Sequence, residues 1–140
     1  MTADVVLPGW FQGGAARLVS RLRSDGGFTV DARSGAVPSS GFAVNRGTGV
    51  LVVPAPTVLG ARGAGLLADF VRARPELLDD GSPVLLGGWH HRGSDRVVLS
   101  PVDHVVDRAE AVATGVARGQ TDVYDLGAGR TVPTGIVRRT

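Results

Sequence analysis

Apolar residues recur at i, i+1, i+4 and i+5 across 61–74 (ARGAGLLADFVRAR). Leu66, Leu67, Phe70 and Val71 form one stripe there, and Asp69, Arg72 and Arg74 fall elsewhere. This spacing predicts a helix, with Gly63 and Gly65 weakening its first turn by about 1 kcal/mol each relative to Ala. A second helix is predicted over 107–118 (DRAEAVATGVAR). Asp107 is placed as its N-cap, Glu110 as the capping-box partner three positions on, and Val112 and Val116 give it an apolar side. Gly119 is the expected stop. A shorter helical stretch, 15–22 (AARLVSRL), gathers Leu18, Val19 and Leu22 and ends at Ser24-Asp25-Gly26-Gly27.

Between these segments the apolar positions come in short runs. One brief strand is predicted at 28–30, and 31–40 (DARSGAVPSS) reads as a surface loop. Three pairs of runs carry a hairpin signal: 41–44 with 49–53, 84–89 with 97–99, and 121–126 with 131–137. Pro54 and Pro56 end the second run, and Pro101 places a kink or a bulge before 102–106 continues the strand. Strands arriving in pairs predict an α+β fold. Its sheet is mostly antiparallel and built from hairpins, with the two main helices packed on one face. The length of 140 residues fits one domain over 1–140, with 1–25 a candidate for a separate helical or flexible N-terminal arm.

Composition narrows the chemistry. The 43% hydrophobic and 20% charged residues fit a folded chain. All 15 basic residues are Arg, so the sequence pI near 10.3 overstates a net charge of only +2. Nucleic acid is weakly supported as a partner on that charge. With no cysteine, disulfides, thiolate catalysis and Cys-based metal sites are excluded. The apolar runs are too short for a membrane span, and the N-terminus lacks the pattern of a secretory signal. The expected location is therefore the cytoplasm of a host cell, or a particle. The absence of Lys and the scarcity of Ile and Asn suggest GC-rich coding rather than a demand of the fold.

Few motifs carry chemistry. Asp125-Leu126-Gly127-Ala128-Gly129 resembles the cofactor loop of S-adenosylmethionine-dependent methyltransferases, but only 11 residues follow it. That is too few for a crossover helix and strand, and a hairpin turn is expected instead. Gly60, Gly63 and Gly65 match neither nucleotide fingerprint. No cofactor and no metal are expected. His90, His91 and His104 lie within fifteen residues, with Asp103 beside the last. If the hairpin centred on Ser94 brought His91, Asp103 and His104 together, they would suit acid–base cleavage of RNA. Alternation sends His90 and His91 to opposite faces, so surface histidines are the leading expectation. Trp10 and Phe11, flanked by Pro8, Gly9, Gly13 and Gly14, are candidate partner anchors, as are Trp89, Arg92 and Arg96 on the hairpin. Gln120, Tyr124 and Asp125 are expected to make structural hydrogen bonds.

Two stretches, 26–44 (GGFTVDARSGAVPSSGFAV) and 87–129, resemble a small domain met in actinobacterial and phage or mobile-element proteins. In that group a G-W-x-D hairpin runs into a V-x-L-D-V strand, followed by an acidic-capped helix and an N-Q-x-A-x-x-D-L strand. Here His91 and Ser100 stand at the two Asp positions and Gly119 at the Asn before Gln120. The resemblance implies a setting and no activity. The leading expectation is a non-enzymatic accessory or protein-interaction protein of a phage or actinobacterial mobile element, acting on a protein partner or by self-association. The alternative is a small toxin-like ribonuclease using His90 or His91 with His104.

Overall fold

The computed structural model describes residues 6–137. In chain order they form α1 (Phe11–Ser24), β1 (Gly27–Val30), β2 (Phe42–Asn45), β3 (Leu51–Pro54), α2 (Ala55–Leu59), α3 (Gly63–Arg72), a 3₁₀ turn (Pro75–Leu77), β4 (Val84–His91), β5 (Arg96–Val105), α4 (Arg108–Ala117), β6 (Asp122–Asp125) and β7 (Arg130–Pro133). The fold class is α+β, as the patterning predicts. The strands make one curled antiparallel sheet in the order β1-β4-β5-β2-β6-β7, with β3 also on β5.

The 84–91 and 96–105 pair forms as a hairpin, in unbroken register from Val84 opposite Asp103 to His91 opposite Arg96. No bulge occurs at Pro101, which stands opposite Leu86. Its missing N–H would point toward the far edge of β5, between the stretch that pairs with β3 (96–99) and the stretch that pairs with β2 (102–105). Proline therefore costs little there. The expected hairpin of 41–44 with 49–53 does not form. Strands β2 and β3 lie end to end along that edge, each paired with β5 and not with one another. The third hairpin, β6 with β7, forms as expected around 126–129.

Helix α2 is absent from the sequence expectation, because Pro54 and Pro56 read as the end of a strand. Pro56 sits in the helix's first turn, where its fixed φ is favourable. In α4, Asp107 accepts a hydrogen bond from the Glu110 N–H at 2.9 Å, and Gly119 takes the left-handed turn (φ 71°) that ends the helix.

Alternation along the paired strands puts Phe28, Val30, Val84, Leu86, Val97, Leu99, Phe42, Val44, Val123 and Val132 on one face. All four helices cover that face in two groups. Helices α1, α2 and α3 close a core over β1, β4 and the first half of β5, and α4 closes a smaller one over β2, β6 and β7. Phe11, Ala15, Leu18, Val19 and Leu22 of α1 belong to the larger core, so residues 11–24 of the stretch set aside as a candidate arm pack with the sheet. Residues 1–5 of that stretch lie outside the described residues, and so does Arg138-Arg139, a pair of charges whose sequence reading is a solvated tail.

Phe11, 2% exposed, anchors α1 in this core. Phe11→Ala is expected to cost about 3–5 kcal/mol in urea unfolding, in one cooperative transition. A separate early transition with the main midpoint unchanged would instead mark α1 as an independent unit.

Candidate functional site

Among the described residues, no helix lies on the opposite face of the sheet. That face curls into one open cleft of about 940 Å³, bordered at one end by β1 and at the other by β6 and β7. This volume lies near the top of the range of about 300–1,000 Å³ for ligand sites. The floor is low because its residues are small: Gly87 on β4 and Ala43 on β2, beside Val102. A Cβ at Gly87 would stand 3.2 Å from Val102 Cγ1. Trp89 lines one wall with Gly27 directly opposite it on β1, and Tyr124, 38% exposed, lines the other with Asp122 and Thr131. Among the described residues neither the Trp89 indole N–H nor the Tyr124 hydroxyl makes a hydrogen bond, so both polar tips are available in the cleft.

The far end of the cleft is formed by Val37 and Pro38 in the loop 31–41 and by Leu126. That loop is fastened at three points. Asp31 accepts hydrogen bonds from the Arg33 backbone N–H (2.8 Å) and side-chain Nε (2.9 Å). Arg33 Nη1 donates to the Asp79 carbonyl at 2.7 Å, and His104 Nε2 donates to the Ser40 carbonyl at 2.8 Å. Burial works to raise the Asp31 carboxyl, but the hydrogen bonds and charge of Arg33 outweigh it and hold its pKa below the ordinary 3.8.

Next to the floor, Ser100 is fully buried and donates to Asn45 Oδ1 at 3.0 Å. The Asn45 carbonyl accepts from Arg118 Nη1 (2.8 Å) and Gln120 Nε2 (2.7 Å). This one Asn therefore ties β5, β2 and the entry to β6 together, which accounts for Gln120 as a structural hydrogen-bonding group.

The histidines do not form a constellation. His91 is opposite Arg96 at the tip of the β4–β5 hairpin, with Nδ1 3.0 Å from Ser94 Oγ. His104 is eight residues further along β5, about 26 Å away at the usual strand rise. Asp103 points to the helix-covered face, where Arg118 Nη2 (2.8 Å) and Arg46 Nε (3.5 Å) flank its carboxylate. The hairpin thus separates His91, Asp103 and His104 instead of assembling them: alternation divides the last two, and strand length separates the first. His90, opposite Val97, is on the helix-covered side, away from His91, and donates from Nε2 to Asp95 Oδ1 at 2.9 Å. Among the described residues no group of three His, Asp or Glu side chains is arranged to hold a metal.

The aromatic pair near the N-terminus is used internally. Phe11 is buried, and Trp10 packs edge-on against it at 5.1 Å. The Trp10 indole donates to the Ala32 carbonyl at 3.0 Å. Its ring lies over Gly35 (φ 77°), where a Cβ would collide with it. Of the hairpin residues singled out, Trp89 lines the cleft, whereas Arg92 in the turn and Arg96 at the start of β5 are exposed, with no ion pair among the described residues. Tyr124, Gly27, Thr29 and Gly87 are cleft residues not singled out as such. Alternation in Asp122-Val123-Tyr124-Asp125, with Val123 buried, is the signal that points Tyr124 away from the core.

Compared with known proteins, the chain matches no family model, no curated protein and no solved structure.

The Asp31 carboxylate gives the loop a pH dependence. Its folded pKa is depressed, so its contribution is complete above the unfolded value and lost as pH falls through the folded one. Asp31→Asn is expected to cost about 1 kcal/mol at neutral pH. Thermal melts should show wild type and variant converging below about pH 4, near the unfolded value. A gap that stays constant down to acid pH would show that the Arg33 contact contributes nothing through charge.

Proposed function

We propose that the protein is a non-enzymatic interaction protein that holds a partner polypeptide on the uncovered, concave face of its sheet. The observation that carries this is the one-sidedness of the sheet. Every helix packs on one face, while the other presents the Trp89–Tyr124 cleft with Val52 of β3, 49% exposed, beside it. Alternation and register put Trp89, Val98 and Val52 in one cross-strand row on that face. Apolar and aromatic groups gathered in this way are characteristic of surfaces that receive a partner.

Binding is favoured over cleavage of RNA because the ribonuclease alternative needs His91, Asp103 and His104 in one place, and they stand apart. As the setting we infer a phage or actinobacterial mobile element, on the resemblance of 26–44 and 87–129, and the cytoplasm of its host as the place where the partner is met.

Affinity capture from an extract of the source cells tests this, with the full chain as bait. A polypeptide retained by wild type should be weakened at least about tenfold by Trp89→Ala and by Tyr124→Ala, as expected at an aromatic anchor, with melting temperatures kept. Equal retention by both variants would overturn the assignment. So would RNA cleavage that His91→Ala and His104→Ala abolish. Light scattering after size exclusion reports whether the partner is a second copy, in which case a concentration-dependent dimer disappears in the same variants.

A further inference from the structure

Three strands of the sheet, β1, β3 and β7, pair on one side only among the described residues. Strand β3 ends in Pro54 and β7 in Pro133, residues that blunt a free edge. Strand β1 (Gly27-Phe28-Thr29-Val30) carries neither proline nor charge. The hydrogen bond from the His90 N–H to the Gly26 carbonyl (2.8 Å) sets its pairing phase. With that register, Phe28 and Val30 exchange hydrogen bonds with Gly88 and Leu86, while the N–H and C=O groups of Gly27 and Thr29 point outward. No backbone partner takes those four groups among the described residues. The same two residues line the cleft, so the free edge and the cleft are continuous.

We infer that the partner binds by strand addition: an extended segment pairs antiparallel with the outer edge of β1 and lays every second side chain into the cleft. This rests on the interaction function proposed above and names its mode and the chemistry of the partner. Main-chain hydrogen bonds to Gly27 and Thr29 supply affinity, and the alternate side chains supply specificity. Gly27 has no side chain, so a large aromatic residue opposite it reaches across to Trp89, its neighbour on β4. Opposite Thr29 the floor continues to Gly87, which leaves space for a branched aliphatic residue. Beyond Gly26 the segment meets cationic groups. Arg92 Nη2 comes within 4.0 Å of the place a Cβ on Gly26 would occupy, and Arg92 has no ion pair among the described residues. Asp25 is held by Arg21 at 3.6 Å. An acidic residue at the C-terminal end of the added segment fits there. The partner segment therefore alternates polar residues with an aliphatic, an aromatic and an acidic residue, in that order.

The test uses the full-length protein and a fluorescein-labelled peptide, Thr-Val-Thr-Trp-Thr-Asp, with a second peptide ending in Arg as control. Binding is expected for the first, with the control at least about threefold weaker, in line with a single exposed charge pair. Amide hydrogen exchange by NMR should show Gly27 and Thr29 slowing at least about tenfold on saturation, because their N–H groups gain partners. Phe28 and Val30, already bonded to β4, should change little. Thr29→Pro removes an outward N–H at a position where edge proline is tolerated, and should weaken binding at least about tenfold with the fold retained by circular dichroism. Arg92→Glu should erase the preference for the acidic peptide. Absence of binding, binding without protection of Gly27 and Thr29, or unchanged affinity in Thr29→Pro would each overturn strand addition. Capture of a cellular partner that depends on Trp89 but not on Thr29 would leave the interaction function standing and remove this mode of binding.

Discussion

Strand β5 hydrogen-bonds to β4 along one edge from Arg96 to Asp103, and along the other to β3 over 96–99 and to β2 over 102–105. Every other strand reaches the sheet through one of these three partners. Because side chains alternate along a strand, one continuous register through β4 and β5 assigns each residue of the sheet's centre to a face. Val97 and Leu99 go under the helices with Val84 and Leu86, and Trp89 and Val102 go to the cleft. The two helix-covered cores, the small buried cluster of Ala43, Leu85 and Val102 beneath the cleft, and the helix-free face are consequences of that single register. A slip of one residue would exchange them.

The same strand explains the polar residues that sit where apolar ones are expected. Ser100 is fully buried at the point where β3 gives way to β2, and its hydroxyl is satisfied by Asn45 at the end of β2. The Asn45 backbone carbonyl then accepts from the two side chains that precede β6. Among the described residues no buried side-chain polar atom lacks a partner, so the interior of this junction is hydrogen-bonded throughout. The tips of Trp89 and Tyr124, which make no hydrogen bond among the described residues, lie on the cleft side.

Much of this was legible in the sequence. The Leu66–Val71 stripe, the Asp107 cap with Glu110, and the Gly127–Gly129 turn each record a local preference that tertiary packing did not override. What was not legible was which strand pairs with which. The runs at 41–44 and 49–53 look like a hairpin because each has the length and flanks of a strand. Nothing in either run says that a ten-residue strand far downstream has room for both along one edge. The histidines show the same limit: a period of two assigns His90 and His91 to faces, but only the length of β5 separates His91 from His104. The cleft was hidden for a further reason. Its walls come from β1 near one end of the chain and β6 near the other, and curl is a property of the assembled sheet. Trp10 and Phe11 look like an exposed anchor in a glycine-rich setting, yet Gly14 in the helix and Gly35 in the distant loop leave the space that the Trp10 ring fills.

The hairpin made by β4 and β5 turns over the four residues 92–95, whereas β1, β2 and β3 lie upstream of it and β6 and β7 downstream. Closing a short loop costs little chain entropy, and joining distant segments costs more. The physically cheapest order of assembly is therefore for this hairpin to form first and serve as a template on which both flanks of the chain condense. With so much of the sheet built from distant pairings, such a chain belongs among slower folders. During synthesis the first half must wait, since its strands have nothing to pair with until β4 and β5 have left the ribosome.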